Sequence, residues 1–172
     1  MTVSNYAGGV FCYTEIQGDT YVLLGRNRWK GSFDIFSAKR NTSLDDTPWE
    51  LTLEESLAAK VEMESIGILN GQEMYNSIVY LNPRSVTLYR GRFEYKVFIV
   101  KLEQESEEVF HNRQVRVCSC IPCAFRNAAR DPNNPITELT WVKLDALQKG
   151  YFKQNNLQET LKNIIPLLNK ET

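Results

Sequence analysis

The chain has 172 residues, with 20 Lys+Arg against 21 Asp+Glu, so one domain with a real core is expected over residues 1–172, and no global field favours nucleic acid or an anionic membrane. No apolar run approaches the roughly 20 residues of a membrane helix, and no charged-then-apolar leader opens the chain. A soluble, intracellular protein without membrane partners is the expectation. The four cysteines, Cys12 alone and Cys118, Cys120 and Cys123 clustered, lack the even spread of a secreted disulfide framework.

Residues Ala7 to Leu24 predict a hairpin, with strands at Val10–Ile16 and Thr20–Leu24 joined by the turn Gln17-Gly18-Asp19. Gly25 ends the return strand, and Arg26, Asn27, Arg28, Trp29 and Lys30 follow. That basic and aromatic patch suits a phosphate and a base; the same residues also describe a solvent-facing turn with one anchoring Trp. Phe33–Phe36 alternates like a short strand, and Ser37-Ala38-Lys39-Arg40 leads into a polar loop through Asp46.

A helix is predicted from Thr47 to Ser65. Thr47 is the expected N-cap, Pro48 fits the first helical position, Glu50 completes a capping box, and Gly67 fits C′. Leu53, Leu57 and Val61 make one apolar stripe, and carboxylates intrude on it. Glu50 and Glu54 fall beside Leu57 and Val61, Glu64 falls between Leu53 and Leu57, and Glu55 and Glu62 point the other way. Glu50 and Glu54 are one turn apart, close enough to share a divalent cation; a solvated acidic face is the plainer alternative.

Downstream, Ile78–Leu81, Ser85–Tyr89, Arg92–Lys101 and Glu138–Val142 are strand candidates, of which RFEYKVFIVK is the strongest. Leu144–Leu147 forms a turn of helix, and Leu157–Leu168 an amphipathic closing helix. These elements predict an α/β or α+β domain with helices on the faces of a mixed sheet. The stretch from His111 to Pro135 is irregular and rich in Arg. Its Cys118, Cys120 and Cys123, with Cys12 or His111, offer four soft ligands, but the spacing is not that of paired zinc knuckles, and zinc is not expected.

The order AGGVFCYTEIQGDTYVLLGRNR, FDIFSAKR, TPWELTLEESLAAKVEMESIGIL and ELTWVKLDAL resembles the Nudix superfamily from about Ala7 to Leu168. The resemblance implies an α/β/α sandwich around a mixed β-sheet. It also implies a Mg²⁺- or Mn²⁺-dependent cleavage of diphosphate bonds in nucleotide derivatives. The family's box runs Gly, five residues, Glu, seven residues, Arg-Glu-(aliphatic)-x-Glu-Glu-x-Gly-(aliphatic). Anchored on Gly67-Ile68, it puts Lys60 at the Arg, Val61 at the next Glu, and Glu64-Ser65 at the pair. Anchored on Asp45-Asp46-Thr47-Pro48, it puts Glu54 at the Arg, Glu55 at the first Glu, and Ala58-Ala59 at the pair. Either register keeps one of three core glutamates, and Ser37-Ala38 replace the usual Gly-Gly.

The resemblance makes Glu55 and Glu64 candidates for catalysis and for metal binding, and the one-turn spacing adds Glu50 and Glu54 as candidate metal ligands. Arg26, Arg28, Trp29, Lys39 and Arg40 are the substrate-binding candidates. Three readings follow: a domain with a decayed box that binds a nucleoside-diphosphate-linked ligand or RNA, an active divergent hydrolase, or a subunit that keeps the fold only and serves a protein partner. Arg84, Arg90, Arg92, Arg113, Arg116, Arg126 and Arg130 suit RNA or a diphosphate, or are surface charges balanced by Glu103, Glu105, Glu107 and Glu108.

Overall fold

The structure, a computed structural model, describes residues 3–16, 18–39, 52–65, 69–81, 83–90, 93–102, 136–149 and 155–168. Glu50, Arg40, Thr47, Pro48, Gly67, Arg92, His111 and Cys118, Cys120 and Cys123 lie outside them, as do the arginines from Arg113 to Arg130. In chain order the elements are β1 (Val3–Ile16), β2 (Asp19–Asn27), β3 (Phe33–Asp34), β4 (Phe36–Lys39), α1 (Leu53–Glu64), α2 (Gly71–Val79), β5 (Ser85–Arg90), β6 (Phe93–Lys101), β7 (Ile136–Lys143), α3 (Leu144–Gln148) and α4 (Asn155–Leu168). Among the described residues no helix is long and apolar enough to cross a membrane.

The chain divides into two compact units: Met1–Phe11 with Phe36–Val100 and Leu167–Thr172, and Cys12–Ile35 with Lys101–Pro166. In the first unit β1 pairs antiparallel with β4, Ala7 to Val10 against Lys39 to Phe36, and β5 pairs antiparallel with β6. Helix α1 packs on β4 and α2. The predicted stripe Leu53, Leu57 and Val61 is buried, as are Met74 and Ile78 of α2. Burying such aliphatic side chains contributes about 1.5–3 kcal/mol each, which outweighs the weak helix preference of so short a segment.

In the second unit the rest of β1 pairs with β2 as the predicted hairpin, Tyr13 to Ile16 against Val22 to Asp19. Gly18 turns it at φ 83°, where a side chain would be strained. Strand β2 also pairs with β3 and, on Tyr21 to Asn27, with β7. Leu147 of α3 and Leu157, Leu161 and Ile164 of α4 are buried, which bears out the expected apolar face of the closing helix.

The strand order is β3-β2-β1-β6-β5. A Cβ on Gly8 would run into the carbonyl oxygen of Lys96, and Leu102 N–H donates to the Tyr13 carbonyl at 2.8 Å. Both chains advance in the same sense between these points, so β1 and β6 run parallel. Antiparallel partners elsewhere make the sheet mixed, and with its helices the fold is α/β.

Two expectations change. Helix α1 starts five residues later than predicted: Thr52, not Thr47, is its N-cap. The same Thr-x-x-Glu pattern recurs at Thr52 and Glu55, and there the first stripe residue, Leu53, follows the cap directly. The segment expected as a strand at Ile78–Leu81 is instead the end of helix α2 and the residues after it. Asn70 caps α2 by accepting from Glu73 N–H at 3.0 Å, and Met74 and Ile78 then share one face at i, i+4 spacing.

Candidate functional site

Four carboxylates of α1 are described, and each has a distinct place. Glu55 belongs to the capping box: its Oε1 accepts from Thr52 N–H at 3.2 Å and from the Thr52 hydroxyl at 3.0 Å, while Thr52 Oγ1 accepts from Glu55 N–H. Glu62 reaches past the helix end, where its Oε2 accepts from Gly71 N–H at 2.6 Å. That bond satisfies one of the orphan donors of α2 and places an anion at its positive end. A Cβ on Gly71 would stand 2.9 Å from that carboxylate oxygen, so glycine leaves the room for it.

Glu64 is 4% exposed, with the Lys60 ammonium 3.6 Å away across one helical turn. Burial pushes its carboxyl up to about 7, against the opposing pull of Lys60. Its neighbour Ser65 is buried and accepts from Leu69 N–H at 3.1 Å. Glu54 is half-buried, and no described residue bonds its carboxylate. Val61, at the box position of a metal-bearing Glu in the Gly67 register, is fully buried.

Beside α1, β4 carries Ser37, Ala38 and Lys39, opposite Gly9, Gly8 and Ala7. The glycines that the loop lacks are thus met on the neighbouring strand, where Gly8 permits close approach of the β6 backbone. Lys39 is exposed at the end of β4.

In the other unit, Arg26 lies over the Phe33 ring at 5.9 Å and opposite Glu138 in register. Arg28 is half-buried and engaged, whereas Lys30 and Trp29 are exposed. Cys12 is fully buried, and burial pushes its thiol up to about 12. It is therefore held as the neutral thiol, the wrong form for a metal ligand.

No group of three or more His, Cys, Asp or Glu among the described residues is arranged to hold a metal ion. Mg²⁺ asks for one or two carboxylates free to enter an octahedral shell. On α1, Glu55 and Glu62 already accept backbone N–H groups, and Glu64 is buried against Lys60. Of the described α1 carboxylates, Glu54 alone is left without a bond. The capping role of Glu55 was readable from Thr52-x-x-Glu55. The roles of Glu62 and Asn70 were missed, because the only local signal was Asn70-x-x-Glu73, a cap pattern ahead of a nine-residue helix.

No family model matches the chain, and no curated protein matches it. Solved structures do. A C. elegans Ap4A hydrolase in a binary complex superposes at TM-score 0.53, with 11% identity over 95% of this chain and 96% of that one. The C. elegans Ap4A hydrolase in another crystal structure gives TM-score 0.50, with 12% identity over 98% of this chain and 99% of that one. The chain has the fold of an Ap4A hydrolase. These neighbours are Nudix hydrolases, and the Nudix-like α/β fold expected from the resemblance is present. The NUDIX domain of Shewanella oneidensis NrtR complexed with ADP ribose is also similar, with 10% identity over 86% of this chain and 79% of that one and TM-score 0.43.

Proposed function

We propose that residues 1–172 work as one intracellular Nudix-like domain that binds a nucleoside-diphosphate-linked ligand and hydrolyses it slowly or not at all. The observation that carries this reading is the engagement of the α1 carboxylates: Glu55 in the cap, Glu62 on α2, Glu64 against Lys60. The end of α1 at Ser65 supports the Gly67-anchored register, in which the box keeps Glu64 alone. Removing a single preorganised charge contact at a reacting centre costs about 10²–10³ in rate, so losing several leaves turnover several orders of magnitude down. Binding does not require them, because stacking and cationic contacts act without a metal. Ap4A, the ligand class in the neighbours' name, is the first compound to try.

The test is turnover of Ap4A, ADP-ribose, nucleoside triphosphates and capped RNA with Mg²⁺ and Mn²⁺, alongside calorimetric binding of the same compounds. Binding without turnover is the expected result, and robust turnover of any of them refutes it. Silence in both assays points to a subunit that keeps the fold only. The active reading has one observation in its favour: Glu54 has no bonding partner among the described residues. Metal-dependent turnover lost in Glu50→Gln and Glu54→Gln would establish that pair. Loss in Glu64→Gln alone would establish the Gly67 register, and loss in Glu55→Gln alone the other.

A further inference from the structure

The turn between β2 and β3 holds an indole out to water on a fixed backbone. Asn27 organises it. Its side-chain Oδ1 accepts from Trp29 N–H at 3.0 Å and Lys30 N–H at 2.9 Å, its carbonyl accepts from Gly31 N–H at 2.8 Å, and its own N–H donates to the Ser32 carbonyl at 2.7 Å. Gly31 closes the turn at φ 66°. Four hydrogen bonds on one residue leave the tip little backbone freedom.

On that tip Trp29 is 67% exposed, and its ring contacts no aromatic or cationic side chain among the described residues. Tryptophan carries the largest apolar surface of any side chain and is usually well covered. Cations surround it in sequence: Arg26, Arg28 and Lys30, with no carboxylate from Gly25 through Phe33. Arg26 is taken up by Phe33 and pairs in register with position 138, so it belongs to the sheet. Lys30, next in the chain, is exposed as well, whereas Arg28 is half-buried and engaged. An exposed apolar face next to an exposed cation is complementary to an aromatic ring that carries phosphate.

We propose that Trp29 is a stacking platform for the base of a nucleoside diphosphate, with Lys30 supplying the attraction for its phosphates. The inference rests on the nucleotide-binding reading above and assigns the part of the chain that grips the base. Because every base has a π-face, such a platform accepts adenine and uracil alike. The preset turn lowers the ordering cost of binding, since the indole is already displayed.

The experiment titrates the full chain with ADP, UDP, inorganic pyrophosphate and a single-stranded RNA oligonucleotide by calorimetry. Wild type is compared with Trp29→Ala, Trp29→Phe and Lys30→Gln. Trp29→Ala is expected to weaken ADP and UDP about 5- to 150-fold and to leave pyrophosphate unchanged. Trp29→Phe keeps most of the affinity, and Lys30→Gln weakens ADP, UDP and pyrophosphate together. Unchanged ADP affinity in Trp29→Ala overturns the platform and leaves the nucleotide reading standing. A wild type that binds no nucleotide and no pyrophosphate overturns both. Binding of pyrophosphate without ADP, or of the RNA alone, overturns the platform in favour of a phosphate-only or a nucleic-acid site. Trp29→Phe, which conserves a ring at an exposed position, guards against misreading a folding defect in Trp29→Ala.

Discussion

Helix α1 and the β2–β3 turn both looked like ligand-binding segments by charge, one acidic and one basic, and they use their charges in opposite ways. The helix turns three of its four described carboxylates to the fold: Glu55 onto its own N-terminus, Glu62 onto α2, and the buried Glu64 onto the part-exposed Lys60. The turn settles its backbone through the amide side chain of Asn27 and leaves Trp29 and Lys30 outward. A charged group is available to a ligand only when something else satisfies the backbone around it. On α1 the glutamates do that work themselves; in the turn an uncharged residue does it for them.

Glu64 gives the largest effect by which this contrast can be broken. Its carboxyl is raised from 4.5 to about 7 by burial. Between those values the folded state holds a proton that the unfolded chain has released, so stability falls as pH rises through that window. At 1.36 kcal/mol per unit the loss is at most about 3 kcal/mol, full above pH 7 and absent below about 4.5. Glu64→Gln keeps the volume and removes the titration. Urea unfolding from pH 4 to pH 8 should show wild type losing stability and the variant staying level and overtaking it near neutrality. Equal slopes in the two proteins would mean that Glu64 meets water, or a ligand, rather than the core.

The capping box gives a smaller effect and separates a structural Glu55 from a metal-binding one. Thr52→Ala should cost about 1 kcal/mol, the usual loss of a hydroxyl N-cap. Glu55→Ala should also destabilise, while Glu55→Gln, which can still accept from the cap backbone, should be close to neutral. Chemical denaturation with and without Mg²⁺ is the measurement. If Mg²⁺ stabilises wild type and that increment disappears in Glu55→Gln, the carboxylate serves a metal, and the account of α1 as an inward-turned helix fails.

These outcomes bear on what the sequence could disclose. The stripe Leu53, Leu57, Val61 and the hairpin at Gly18 were legible because periodicity and turn chemistry are local. The start of α1 was displaced because two Thr-x-x-Glu patterns stand five residues apart, and choosing between them depends on where packing begins. Helix α2 was hidden by its β-branched end, Ile78-Val79, and by its length of nine residues, too short to be stable without docking. At the site the residue types were legible and their engagement was not. The bond from Gly71 N–H to Glu62 spans nine positions, and the burial of Glu64 depends on what packs over it. The candidates Glu50 and Arg40 lie outside the described residues.

The smallest expected effect is on the other side of the contrast. If the turn holds itself through Asn27, the Trp29 ring contributes little to folding. Trp29→Ala should then change unfolding free energy by no more than about 0.5 kcal/mol, the range of surface substitutions remote from special features. The backbone N–H of residue 29 remains a donor to Asn27 in the variant, so the turn keeps its geometry. Asn27→Ala is the informative partner. It removes the acceptor of two N–H groups at once and should destabilise more than the loss of the whole indole. Thermal and urea unfolding of the two variants ranks them. A Trp29→Ala loss larger than that of Asn27→Ala would show that the indole packs on the fold, and the exposed, available turn would then resemble α1 after all.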